Sequence, residues 1–197
     1  MKTPSYPSSP KGFTLVELLV VIAIIAVLAS ATFAIGPAMM NKARKVSAQA
    51  SATSINNAIE MYYTEYSALP ATTDAPNENT QLRTSAGGNG VDLLKVLVGE
   101  DFNSQNPRKI RFLMAKDAKN GRDGIVYTSN SPTAMLDPWG QPFYIMMDYT
   151  YDERMSVVVQ TKPTSTTSTL NGRRVAVYSL GVQDTNRATT SSLVKTW

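Results

Sequence analysis

The sequence predicts an α+β fold: a long N-terminal helix, apolar in its first half, packed in its second half on a small antiparallel sheet. Three observations predict it. An apolar run from Leu15 to Ile35 carries a single acid, Glu17, and has about the ~20 residues that a helix needs to span a bilayer core. Further on, Ala48, Ala52, Ile55, Ile59, Tyr62, Tyr66 and Leu69 recur at alternating spacings of four and three, which is one apolar stripe down a helix. The last third alternates turn signals with short period-2 segments, the pattern of antiparallel strands.

Composition limits what such a chain does. Its 197 residues suit one domain plus an anchor. The net charge is +4, and Lys2 and Lys11 lie ahead of the apolar run. The rest is not strongly basic, and no nucleic-acid partner is expected. Without cysteine, neither a disulfide nor a thiolate metal site can form. Without histidine, the commonest general base and metal ligand is missing. Ser-His-Asp and Cys-His catalysis are excluded within the chain, and no enzyme activity is expected.

The N-terminus carries the most specific signal. An acid inside an apolar helix costs about 2.5 to 3.5 kcal/mol on insertion scales and asks for a reason. An ordinary secretory signal, cut near Ala29-Ser30-Ala31, would explain the apolar run. So would a plain membrane anchor. Neither explains Gly12-Phe13 immediately before the run, nor the acid near its start.

Lys11-Gly12-Phe13-Thr14-Leu15-Val16-Glu17-Leu18-Leu19-Val20-Val21-Ile22 resembles the class III signal of type IV pilins and pseudopilins. The resemblance implies that a prepilin peptidase cuts after Gly12 and methylates the new amino terminus of Phe13. Glu17 becomes the fifth residue of the mature chain. In the family this acid pairs with the terminal amine of a neighbouring subunit as the filament assembles. That fits the physics: a buried charge is tolerable when paired and costly when its partner is removed. Lys42, Arg44 and Lys45 follow the run as Lys2 and Lys11 precede it, so the positive-inside rule does not settle the topology. The resemblance implies a single pass through the inner membrane, with the head in the periplasm.

The remaining elements follow in order. Pro37 lacks a backbone donor and is expected to kink or loosen the helix, the alternative being a helix end at Gly36-Pro37. The stripe then runs on until Pro70 stops the helix. Tyr62 to Thr73 resembles the tyrosine-rich helix end and turn of pseudopilins, with Leu69 where a tyrosine is usual. Thr72 to Gly90 reads as a polar loop without a core of its own. Val91, Leu94, Leu97 and Val98 predict a short amphipathic helix. Ile110 to Met114 is left as a strand or a helical turn. Asn120-Gly121 and Asp123-Gly124 are turn signals before a strand at Ile125-Val126-Tyr127. Asp117, Asn120 and Asp123 lack the ligand spacing of a calcium loop and read as a plain turn.

Leu136-Asp137-Pro138-Trp139-Gly140-Gln141-Pro142-Phe143-Tyr144 predicts a rigid turn feeding a strand, with Asp137 bonding the backbone ahead, Gly140 left-handed and Trp139 buried. The segment resembles one in the major (G-type) pseudopilin of type II secretion systems. Val175-Ala176-Val177-Tyr178-Ser179-Leu180-Gly181 resembles that protein's C-terminal segment. There the following loop binds calcium. Here the glycine-rich acidic continuation is missing, and Asp184 is the one side chain retained for a calcium alternative; otherwise no cofactor is expected. Strands are expected at Phe143–Asp148, Met155–Val159 and Val175–Leu180, in a three-stranded meander with one face on the helical stripe.

These readings divide the chain into a leader peptide (1–12), a transmembrane helix (13–36), the periplasmic half of the spine (37–69) and a globular head (70–197). The expected function is structural: a type II secretion pseudopilus subunit. Its partners would be further copies of itself, the prepilin peptidase, minor pseudopilins and the inner-membrane secretion platform. A type IV pilin for adhesion, motility or DNA uptake is the first alternative. A membrane-anchored periplasmic binding or enzymatic domain is the second.

Overall fold

The computed structural model describes residues 12–71, 77, 80–159, 165–182 and 192–197, the side chains of 31–36 excepted. The chain divides into two units, Met1–Lys42 and Ala43–Trp197. Helix α1, Leu15–Tyr66, supplies residues to both.

In the first unit the large apolar side chains from Phe13 to Leu28 are 44 to 79% exposed, from Val21 at the low end to Phe13 and Leu15 at the high end. They surround the helix rather than forming a stripe, so the segment has no side to turn towards a core of its own. Among the described residues no helix is long and apolar enough to cross a membrane. α1 continues through Pro37, so the helix does not end at that proline.

In the second unit the stripe is where the spacing put it. Ala48, Ala52, Ile55 and Ile59 are fully buried, Tyr62 nearly so, and Ala58 widens the buried face. The helix stops three residues before Leu69. Ser67 takes a left-handed φ of 54°, and its N–H donates to the Tyr63 carbonyl at 2.8 Å, a left-handed C-terminal cap. Leu69 is buried by the chain beyond the helix, where its N–H donates to the Tyr151 hydroxyl at 3.1 Å.

The other elements are β1 (Leu82–Arg83), α2 (Val91–Leu97), β2 (Gly124–Thr128), β3 (Ser131–Leu136), β4 (Phe143–Met147), β5 (Arg154–Val159), β6 (Thr166–Asn171), β7 (Val175–Ser179) and β8 (Val194–Lys195). β1, β4, β7 and β8 form an antiparallel sheet in that order. β2 pairs with β3 and β5 with β6 as separate hairpins. The expected meander is therefore corrected. β4 pairs directly with β7, and the segment expected between them turns back on the Ser/Thr-rich β6 instead.

That arrangement gives the sheet two packed faces. Phe143, Ile145, Met147, Val175 and Val177 join the α1 stripe and α2 in the main core. Met146, Ala176 and Tyr178 on the other face pack on Met155, Val157 and Val159 of β5. The head is thus layered as helix, sheet and hairpin. α2 buries Leu93 and Val96 beside the predicted Leu94, Leu97 and Val98, while Val91 is half-buried. Ile110 to Met114 is neither strand nor helix. Its irregular backbone is tied to α2 by the Phe112 and Leu113 N–H groups, which both donate to the Leu97 carbonyl.

The polar loop expected from Thr72 to Gly90 in fact contributes to the core. Leu82 and Thr84 are fully buried. The Thr84 hydroxyl donates to the Met135 carbonyl at 2.6 Å and accepts the Phe143 N–H at 2.9 Å, joining β1 to β3 and β4.

Candidate assembly site

Gly12 and Phe13 precede α1 in non-helical, exposed backbone. The helix starts on a reciprocal cap. The Thr14 N–H and hydroxyl both donate to Glu17 Oε2, at 2.9 and 2.8 Å, and the Glu17 N–H donates back to the Thr14 hydroxyl at 3.2 Å. This is a capping box, in which a threonine and the acid three residues later satisfy donors that a helix start leaves open. The helix dipole also favours a carboxylate there. Glu17 Oε1 accepts no bond among the described residues, which leaves the acid capacity for a cation. Sequence reasoning singled out Gly12, Phe13 and Glu17 and missed Thr14. The Thr-x-x-Glu spacing was the signal that would have found it.

The two head segments with family resemblance meet at one buried carboxylate. Asp137 is fully buried. Its Oδ1 accepts the Trp139 and Gln141 N–H groups, each at 2.8 Å, and its Oδ2 accepts the Ser179 hydroxyl at 2.5 Å. The turn closes with the Gly140 N–H donating to the Asp137 carbonyl at 2.9 Å, and Gly140 sits at φ 85°. Burial pushes the Asp137 carboxyl above the usual carboxylate range, against the pull of its bonds from Ser179 and the turn backbone. The expected roles of Asp137 and Gly140 therefore hold. Trp139 is half-buried rather than buried, resting on the main core. The bond between Asp137 and Ser179 was invisible in sequence, because each motif was read alone.

The predicted turn at Asn120-Gly121 is present. Lys119 and Arg122 exchange backbone hydrogen bonds across it, with both central residues left-handed. The Asp123 carboxylate is taken by Lys116 Nζ and the Ser47 hydroxyl. Among the described residues no group of three or more acids could hold a metal ion. Asp184 lies outside the described residues.

Residues 8–33 match the prokaryotic N-terminal methylation motif. The matched stretch contains Gly12, Phe13, Thr14 and Glu17. It is a type IV pilin-like signal, which supports the pilin and pseudopilin group and, with it, prepilin peptidase processing and filament assembly. No curated protein and no solved structure matches the chain.

Proposed function

We propose that the chain is a filament subunit of the pseudopilin kind, most like the major subunit of a type II secretion pseudopilus, with a structural rather than an enzymatic role. The observation that carries this reading is the methylation motif at residues 8–33, set at the start of a helix whose large apolar side chains from Leu15 to Leu28 are exposed. The peptidase cuts between Gly12 and Phe13, and Phe13 becomes the methylated N-terminus. Glu17 then offers its carboxylate to the terminal amine of a neighbouring copy. The apolar run through Ile35 anchors the chain in the inner membrane before assembly, and the head stands in the periplasm. The other partners are minor pseudopilins and the secretion platform. No calcium is needed for this reading.

The preference for a secretion pseudopilus over a type IV pilus rests on the head. Its two pseudopilin-like segments are locked together through Asp137 and Ser179, and the chain lacks the cysteine pair common near pilin C-termini.

Two measurements test the proposal. Intact mass and N-terminal sequencing of protein recovered from membranes should give a chain that starts at Phe13 with one added methyl group. A start near Ser30 to Thr32, or an uncut Met1, would overturn it. Deletion of the gene should leave normally exported proteins trapped in the periplasm. Loss of surface motility or DNA uptake with intact secretion would move the chain to the type IV pilin reading.

A further inference from the structure

An open strand edge is a template for pairing with another chain, and in the head most edges are covered by groups of the same chain. At β1 the Asn89 side chain takes the place of a strand. Its Oδ1 accepts the Arg83 N–H at 2.9 Å and its Nδ2 donates to the Gln81 carbonyl at 3.1 Å. At β8 the Gln49 side chain of α1 donates to the Lys195 carbonyl at 3.1 Å. At β2 the Ile125 N–H donates to the Lys116 carbonyl at 2.9 Å, and the Ala118 N–H to the Ile125 carbonyl at 2.8 Å. At β3 the Met135 N–H donates to the Thr84 carbonyl at 2.8 Å. At β5 the Arg154 N–H donates to Asp152 Oδ1 at 2.9 Å, and the Val158 carbonyl accepts the Tyr178 hydroxyl at 3.4 Å.

β6 has no such cover. Its register with β5 runs unbroken from Thr166 opposite Val159 to Asn171 opposite Arg154, and just beyond it the Gly172 N–H donates to the Glu153 carbonyl at 2.7 Å. Bonding groups alternate between the two sides of an antiparallel strand. Thr166, Ser168 and Leu170 therefore bond β5, and Thr167, Thr169 and Asn171 turn their N–H and C=O groups away from it. Among the described residues no group bonds this outward row. The devices that block an open edge are missing as well: β6 has no charge, no proline and no bulge. The side chains of Thr167, Thr169 and Asn171 are exposed, on the face opposite Leu170, which packs on the second core cluster.

Charge and the covered edges select the occupant. An uncharged strand can lie opposite itself without the repulsion that like charges directly across a ladder suffer. Every other edge of the described strands already carries contacts from its own chain, so the edge that a second copy offers is β6 again. We propose that β6 pairs antiparallel with β6 of a second copy, Thr169 facing Thr169 and Thr167 facing Asn171, which joins the two hairpins into one sheet. This register sets each outward residue against an outward residue and places threonines across from one another, a favourable cross-strand pair. The contact is isologous and closes into a pair rather than propagating. It is therefore separate from the contacts that build a filament, and it does not depend on the chain being processed.

The native chain has no cysteine, so single cysteines report on this contact alone. Full-length chains carrying Thr167→Cys, Thr169→Cys or Asn171→Cys are oxidised mildly in membranes, singly and as differently tagged mixtures. Thr169→Cys chains should cross-link to one another. Thr167→Cys and Asn171→Cys chains should cross-link only when mixed, because in this register each lies beyond disulfide reach of its own counterpart. A charge swap then tests the facing pair. Thr169→Lys in both members of the mixture should abolish the cross-link, and Thr169→Lys opposite Thr169→Glu should restore it, with every variant head melting as the parent does. Equal yields at all three positions, a cross-link to a different protein, or no rescue by the opposite charge would overturn the pairing. None of these outcomes bears on the filament reading, which N-terminal sequencing decides separately.

Discussion

From Phe13 to Leu28 the large apolar side chains point outward. From Ala43 onward most of them are drawn into two packed clusters on opposite faces of one sheet, while Val46, Met61 and Met114 stay exposed. The first region has a strong chemical signal, and its large described apolar side chains are exposed. The second has dense packing and only family resemblance as a signal. The difference is one of solvent and partner. A segment apolar all round is stable only inside lipid or against other helices, and such a surface on a soluble chain marks an interaction. The layered head finds packing partners for its apolar side chains among its own elements. Substitutions should therefore divide by region: in the first they should change assembly without touching the fold, and in the second the fold itself.

The sharpest break of that contrast is at Glu17. Glu17→Ala should leave membrane insertion and head stability unchanged and abolish filaments, measured by fractionation, melting of the head and electron microscopy. Normal filaments from this variant would remove the assembly role. In the head, Phe143→Ala should cost about 3–5 kcal/mol, since Phe143 is fully buried between helix and sheet. Denaturant titration measures it, and a loss below about 1 kcal/mol would contradict the packing described. Thr84→Val should cost about 1–3 kcal/mol by stranding the Phe143 N–H and the Met135 carbonyl, and Thr84→Ser should recover most of it.

The smallest effect concerns pH. The folded state raises the Asp137 pKa above its unfolded value, so folding favours the protonated acid. This contribution is complete below the ordinary carboxylate range and is lost as pH rises through the raised value. Asp137→Asn should remove that slope. An unchanged slope of head stability from about pH 4 upward would mean that other groups cause it.

Legibility in the sequence followed the same divide. The N-terminal signal was readable because all its parts lie within a few residues, from Gly12 to Glu17. Even Thr14 could be read from its spacing to the acid. The α1 stripe, α2, β4 and β7 were readable because each repeats an apolar period over several residues. β1 was missed because two residues in a polar stretch carry no period, and its neighbour Thr84 is buried through a hydroxyl that bonds distant backbone. β6 was missed because Thr166 to Asn171 offers hardly any apolar alternation. Its partner is β5, and the register of Arg154–Val159 against Thr166–Asn171 is not written in the polar residues of β6. The bond from Ser179 to Asp137 joins residues that only the fold makes neighbours.

The hairpin that displaced the expected meander has a kinetic consequence. β4 and β7 must find each other across everything between Met147 and Val175, while Val159 and Thr166 within that interval are close in sequence. Closing a longer loop costs more chain entropy and slows folding. A hairpin zips on the order of 1–10 μs, and once formed it shortens the free chain that the central pair must bridge. β5 and β6 therefore serve as a local splint for a long-range pairing. Destabilising substitutions on β5, such as Val157→Ala, should slow refolding rather than only speed unfolding, a split that stopped-flow measurements on the head resolve.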